Sequence, residues 1–555
     1  MSLHDELQKI VRGEVDNAPA SLEAYARDAS MFYIKPQEIV RPLDAQDIEA
    51  VVQLVSRTKQ ADPKSIVSIT ARSAGTDMSG GPLNDSIIVD ITAHINKLLE
   101  LGPAYAVVEP GMYFRDFDRE TQKKNLELPS YTASRELNTV GGMAANNSGG
   151  EKNLAYGKTA RYVQELDVVL ADGKVHTLRH MVDDELALKL AEPGFEGDVY
   201  RGVAALVKNH RNIIEEHKPH VEKNSSGYAL WDIGDGETSL DLARLMVGAQ
   251  GTLGIITKIK FSLVHPKPYS AMVVVFIKNL SELGQMVPIV LAHKPDSFES
   301  YDDHTFALGA KYFPEFAVQM KAGIFSLGWS FLPEVWMMMT GGIPKLVLMA
   351  EFRAMTQHEA ITKAEDLAEE ITEITGAKTR LARSEKAARK YWVIRRESFS
   401  LLRKKVRGKR TAPFIDDFVV PPMSLPEFLP KLEAILSQYD LTYTVAGHVG
   451  DGNFHIIPLV DASRPDLARI VDEMSHKVYD LVLSYDGSIT GEHNDGIVRT
   501  PYVEKMFGPD MYALFHQVKN IFDPLNIFNP GKKVGSTFSQ ALSHLDTPTT
   551  PKPVK

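Results

Sequence analysis

Arg72-Ser-Ala-Gly-Thr-Asp-Met-Ser-Gly-Gly81 is the stretch whose reading decides the fold. It sits between two strand-like runs, Ser65–Thr70 (SIVSIT) and Ser86–Ile91 (SIIVDI). Its small residues let backbone N–H groups approach an anion closely, and Ser73, Thr76 and Ser79 add hydroxyl donors. That is the chemistry of a diphosphate cradle. Two later runs share the character: Thr139-Val-Gly-Gly-Met-Ala-Ala-Asn-Asn-Ser-Gly-Gly150 and Gly248-Ala-Gln-Gly-Thr-Leu-Gly-Ile-Ile-Thr257. Taken singly, each suits a tight turn as well as a ligand loop. Three in this order point to a bound ligand. The dinucleotide fingerprint, with glycines at its first, third and sixth positions, is absent, which disfavours a standard Rossmann site. Gly150 to Thr159 imitates an ATPase phosphate loop but has six residues between its glycines where that motif needs four. The ATPase reading fails on spacing.

Outward from these loops, the chain alternates helical and strand-like runs. Asp47–Lys59 carries apolar residues at helical spacing with Asp44 as its cap. Further strands are expected at 104–109, 163–170 and 254–264, and His265-Pro-Lys-Pro268 marks a domain boundary. The expected organisation is mixed α+β. A first domain covers 1–268 and a second covers 269–500, with an apolar insertion near 305–344. Residues 536–555 are rich in Ser, Thr and Pro and read as a solvated, disordered tail.

Composition narrows the function. The 555 residues are 44% apolar and 24% charged, an ordinary globular balance. A net charge of −10 argues against a nucleic-acid partner. The chain has no cysteine, which removes disulfides, thiolate nucleophiles, Cys-ligated zinc and cysteine-held iron–sulfur clusters together. The N-terminal residues lack the apolar core of a secretory signal. Ala322–Pro344 comes nearest to a membrane span but is broken by Pro333 and Gly341-Gly342. It reads either as a buried or lid-like segment or as a surface for a membrane or apolar partner. The expected location is cytoplasmic, with peripheral contact on the inner membrane face. Arg403–Arg410, the one dense basic run, is a solvated loop or a site for anionic headgroups or an acidic electron-transfer partner.

A second constellation lies far from the glycine loops. Gly447-His448-Val-Gly-Asp451-Gly-Asn453-Phe-His455 sets two histidines around a turn, and Gly491-Glu492-His493-Asn494-Asp495-Gly496 follows. On an unbroken strand, residues seven apart point to opposite faces; a turn at 450–453 lets both imidazoles converge. Two histidines and a glutamate suffice for a divalent metal with open positions, and an acid–base or purely structural role stays open.

Residues from about Tyr25 to Pro268 resemble the FAD-binding domain of the vanillyl-alcohol oxidase superfamily, of p-cresol methylhydroxylase (PCMH) type. Within it the chain resembles the branch of D-lactate dehydrogenases, glycolate oxidase flavoprotein subunits and D-2-hydroxyglutarate dehydrogenases. The matching phrases are RSAGTDMSGG, TVGGMAANNSGG with YGKTARYV, KNSSGY (Lys223–Tyr228) and GAQGTLGIIT. The resemblance implies a second α+β substrate domain on a ferredoxin-like sheet. It also implies FAD held without a covalent bond, and the lack of cysteine excludes a cysteinyl link. FAD contacts are expected from Arg72, Ser73, Ala74, Gly75, Thr76, Ser79 and Gly80. More come from Pro129, Thr139, Gly142, Asn146, Ser148, Gly149 and Gly157, and from the backbone of Gly254, Ile255 and Ile256. The closing phrase Phe522–Lys532 implies that residues 501–535 return to the FAD domain, with Asn529 and Lys532 near the cofactor. Gln250 stands where the family more often has Glu, and Asn494 where glycine commonly follows Gly-Glu-His.

The same resemblance implies that His448, His455 and Glu492 bind a divalent metal, zinc before others, and that His493 is the catalytic base. Asn453 would help hold substrate or a ligand. Arg396, with Arg395 the next candidate, would grip the substrate carboxylate. Ile415, at the apparent position of a lysine in the D-2-hydroxyglutarate enzymes, argues against a dicarboxylate. The implied activity is oxidation of a small D-2-hydroxy acid. The acceptor is expected to be a separate quinone, electron-transfer flavoprotein or iron–sulfur protein. A homodimer is a further expectation. Two alternatives stand beside it: an alkylglycerone-phosphate-synthase-like enzyme, and an electron-transfer or interaction subunit.

Overall fold

Asp44 caps the helix Ala45–Ala61 by accepting from Gln46 N at 2.9 Å, and the helix buries Ile48, Val51, Val52 and Val55 along one face. This helix packs beside a four-stranded sheet in the order Glu14–Asp16, Glu38–Arg41, Ile87–Asp90, Ile69–Arg72. The last three strands run parallel, and the loop 73–86 joins two of them. The structure is a computed structural model that describes residues 2–305, 343–405 and 409–547, without the side chains of 397–405.

A six-stranded antiparallel sheet follows: Leu98–Leu101, Tyr105–Val108, Ile255–Ser262, Val163–Val169, Val175–Val182 and Ser239–Asp241. Along Ile255–Ser262, Ile255, Thr257, Ile259 and Phe261 are buried while their neighbours are half-exposed, the period-two pattern of an antiparallel strand with one face on a core. These two sheets and their helices form the first half of the molecule.

Residues 263–268 cross to a seven-stranded antiparallel sheet in the order Thr379–Ala382, Tyr269–Ile277, Leu346–Ala354, Ser297–Asp302, Val445–His448, Asn453–Ile456, Phe418–Val419. From Ser270 to Ile277 the strand Tyr269–Ile277 is buried on both faces. Ala271, Val273, Val275 and Ile277 meet helices Leu283–Ala292 and Gln357–Thr375, whereas Met272, Val274 and Phe276 meet Tyr391 and Trp392 of the helix Glu385–Lys405. The chain then returns. Helix Gly496–Phe522, kinked at Gly508, buries Val503, Phe507, Phe515 and Phe522 in the first half's core.

The tail departs from expectation between 537 and 547. Thr537 and Gln540 form a capping box that starts the helix Phe538–Ser543, and Asp546 pairs with Arg27 and Arg410. The Ser/Thr/Pro content that suggested disorder includes the cap itself. Residues 548–555 lie outside the described residues, as does 306–342 of the expected insertion and 406–408 of the basic run. No described helix is long and apolar enough to cross a membrane.

Candidate functional site

The glycine loops and the histidines line one cavity of about 350 Å³ between the two halves. At one end Ser73, Ala74, Gly75 and Thr76 face Thr139, Gly142, Asn146 and Ser148, with Gly254 and Ile256 beside them. Gly142 and Gly251 present bare backbone to this space: a Cβ at either would meet no atom within 3.4 Å and would fill the cradle instead. Gly254 is needed for another reason. At φ +156° its Cβ would lie 2.8 Å from Val168 and 2.9 Å from the Val169 carbonyl.

Several expected cofactor contacts act as scaffolding. Arg72 donates to the Tyr25 and Arg27 carbonyls at 2.9 and 2.7 Å. Ser79 bonds Asp77, and Gly80 packs on Phe32 and Ile497. Asn529 donates to the carbonyls of Gly81 and Gln250 at 3.0 and 2.7 Å and accepts from Thr70 at 2.8 Å, which stitches a strand to two of the loops. Lys532 donates to the Leu83 carbonyl at 2.6 Å, and burial pushes its pKa down to about 8. Pro129, Gly149, Gly157 and Ile255 are likewise absent from the lining.

Both departures from the family phrases have visible roles. Asn494 adopts φ +68°, the left-handed conformation that glycine would supply, and its amide donates to the carbonyls of Asn146 and Gly248. Gln250 accepts from Gly496 N at 2.8 Å.

At the other end, the short helical turn Val449–Asp451 and Gly452 at φ +69° reverse the chain. A Cβ at Gly452 would lie 1.8 Å from the Val420 carbonyl, so only glycine fits. The reversal pairs His448 with Asn453 and Ala446 with His455, which brings both histidines to one face of adjacent strands. His448 Nε2 lies 2.7 Å and His455 Nε2 3.4 Å from Glu492 Oε1. Behind the rings, His448 Nδ1 is 2.5 Å from Glu299 and His455 Nδ1 is 3.3 Å from Asp416. His448, His455 and Glu492, with carboxylates behind both rings, form a group that could hold a metal ion. The donor set suits zinc or a neighbouring divalent ion. Lys223 Nζ, 2.7 Å from Glu492 Oε1, already meets part of the charge.

Electrostatics support a demand for positive charge. Burial favours a neutral His455 ring, yet Asp416 and Glu492 push it up to about 10. Burial likewise opposes charge on Glu492, but Lys223 and His448 hold it well below the usual carboxylate range. His493 sits 2.7 Å from Asp416 through Nδ1, and its ring stacks 5.1 Å from that of His455. Burial lowers its proton affinity; Asp417 and Asp416 more than restore it, so its pKa is raised.

Three acidic residues of this cluster had no assignment from sequence: Glu299, Asp416 and Asp417. Asp417 fixes the Glu492–His493 turn by accepting from both backbone N–H groups, at 2.9 and 2.7 Å. The sequence signal was present as adjacent aspartates inside the apolar run Phe414–Val420. Asn453 stays off the cavity; its amide donates to Asp417 and to the Phe418 carbonyl, closing the strand pair. Ile415 is buried in the second half's core and does not line the cavity. Arg396 lines the cavity but is matched to Glu151, with Nε at 2.9 Å from Oε2 and Nη2 at 2.5 Å from Oε1, over the Trp392 ring. Arg395 also lines it, with Nη2 3.2 Å from Glu299 and a buried Nε that has no hydrogen-bond partner.

A model described as an FAD binding domain matches residues 36–179, and one for the C-terminal domain of FAD linked oxidases matches 267–533. The chain thus carries an FAD binding domain followed by the C-terminal domain of FAD linked oxidases. Proteins similar to it include enzymes named for 2-hydroxy acids. It is 29% identical to a D-2-hydroxyglutarate dehydrogenase of Pseudomonas putida over 94% of this chain and 50% of that protein. It is 27% identical to the glycolate oxidase subunit GlcD of Bacillus subtilis over 93% of each chain. A D-lactate dehydrogenase of Archaeoglobus fulgidus is 26% identical, over 96% of this chain and 99% of the other. The chain spans about half the length of the D-2-hydroxyglutarate dehydrogenases it matches. Among solved structures, p-cresol methylhydroxylase with substrate bound shares the fold at a TM-score of 0.68 and 17% identity, covering 96% of both chains.

Proposed function

We propose that this chain is an FAD-dependent dehydrogenase that oxidises a small D-2-hydroxy acid, of the D-lactate or glycolate type, to the 2-oxo acid. The observation that carries the reading is the single cavity with glycine loops at one end and the histidine–carboxylate cluster at the other. FAD, when bound along the loops, supplies the hydride acceptor at its N5. A divalent cation on His448, His455 and Glu492, zinc by its donor set, would polarise the substrate hydroxyl.

The protein's own groups do the rest. Asp416 Oδ2 faces His493 Nδ1 at 2.7 Å, a charge contact that leaves Nε2 to take the hydroxyl proton. Arg395 grips the substrate carboxylate. Its buried Nε needs an acceptor, whereas Arg396 already has two from Glu151. Among the described lining residues, Arg395 and Arg396 are the only Lys or Arg side chains. With one of them occupied, the cavity suits one carboxylate better than two.

Electrons leave for a separate quinone or carrier protein. A cytoplasmic location with contact at the inner membrane face fits that route. The test is metal analysis joined to a dye-reduction screen of small hydroxy acids. One divalent ion per chain with turnover of D-lactate or glycolate supports the reading. Flavin without metal, and no turnover of any 2-hydroxy acid, refutes it. His493→Ala should keep flavin and metal while losing turnover.

A further inference from the structure

Glu299 holds the two ends of the proposed substrate site at once. It lies on the strand Ser297–Asp302, whose register sets Ser300 against Gly447 and Tyr301 against Ala446, so Glu299 faces His448 across the sheet. Its side chain is 1% exposed, and its oxygens are divided. Oε1 is 2.5 Å from His448 Nδ1, and Oε2 is 3.2 Å from Arg395 Nη2.

We propose that Glu299 is the positioning residue that fixes His448 and Arg395 at a constant offset, so that hydroxyl and carboxylate on adjacent carbons are received together. This rests on the metal and substrate reading above. Glu299 can accept a proton from His448 Nδ1, which frees Nε2, 2.7 Å from Glu492 Oε1, for the cation proposed above. On the other side, Glu299 Oε2 and Arg395 Nε both lack a hydrogen-bond partner. The guanidinium is therefore held by charge beside Glu299 while it keeps a donor for another carboxylate. A glutamate this buried is costly unless it is paired. Sharing it between a histidine and an arginine satisfies its charge and ties together two groups that bind different ends of one small molecule.

The test compares flavin-loaded wild type, Glu299→Gln and Glu299→Ala, using Zn2+ alone as the metal probe and D-lactate in steady-state kinetics. Retained flavin absorbance checks the fold of each variant. Gln keeps an acceptor for His448 Nδ1–H but turns an amide NH2 toward Arg395. It should hold zinc within about tenfold of wild type while KM rises at least ~10-fold and kcat changes far less. Ala loses both contacts and should weaken zinc by about 10- to 100-fold. A merely structural role would not separate KM from kcat or the two variants from each other. If wild type binds zinc and turns over but both variants match it in zinc affinity and KM, the assignment of Glu299 falls alone. If wild type binds no zinc and reduces no flavin with any hydroxy acid, the functional reading falls and takes this one with it.

Discussion

Asn529→Ala should destabilise the first half of the molecule by about 3–5 kcal/mol and loosen flavin without removing any direct contact to it. The side chain is 1% exposed and joins the strand Ile69–Arg72 to the loops ending at Gly81 and Gln250. Alanine leaves two buried carbonyls without their donor, at about 1–2 kcal/mol each. The third bond costs less, roughly 1 kcal/mol, because Thr70 Oγ1 keeps a donor in Asn84 Nδ2 at 2.8 Å. Asn529→Asp should be no better, since it sets a carboxylate against the same two carbonyls. The measurement is urea unfolding of flavin-free protein beside flavin affinity by fluorescence quenching. Weaker flavin binding with a stability loss of several kcal/mol fits a loop stitch. A stability loss under about 1 kcal/mol with a large loss of flavin affinity would mean that Asn529 touches the cofactor, and the reasoning would be wrong.

Gly254→Ala drives a Cβ to within 2.8 Å of Val168 and 2.9 Å of a carbonyl, so it should lower the melting temperature and the flavin content together. His176 stands between Asp172 at 2.9 Å and Glu196 at 3.2 Å; burial lowers its proton affinity, but the two carboxylates raise its pKa above the ordinary value. Its contribution to stability is therefore full below the unfolded-state pKa and lost as pH rises through the folded one. Thermal melts of His176→Ala and wild type should differ most in acid and converge above neutrality; a gap that widens with pH would reverse the sign. Arg395→Ala should raise KM for a hydroxy acid about 10- to 100-fold, the worth of a charge-assisted carboxylate contact, whereas Arg396→Ala should act mainly on stability through the loss of Glu151. The reverse ranking would restore Arg396 as the carboxylate clamp.

The parts of this molecule that local rules govern were legible in its sequence. Asp44 before an amphipathic run and the alternation of Ile255–Ser262 need only their neighbours to be read. The turn Gly450–Asn453 was enough to bring His448 and His455 to one face, because a reversal within few residues decides which side each points to. Glu299 could not be found that way. It meets His448 across 149 residues of chain, through a strand register that no local pattern encodes. Asn453, Asn529 and Lys532 show a different limit. A phrase shared with a family marks that residues matter near a site without separating those that face the ligand from those that hold its walls. The tail shows that composition misleads where a cap is present, since Thr537 and Gln540 start a helix inside a polar run.

The most direct test of the central claim is anaerobic addition of D-lactate, glycolate or D-2-hydroxyglutarate to the flavin-loaded, metal-loaded protein while the visible flavin absorbance is followed. D-lactate or glycolate should bleach the flavin, the dicarboxylate should bleach it little, and no acid should do so when His493 is alanine. An oxidised flavin that no 2-hydroxy acid can bleach would contradict it.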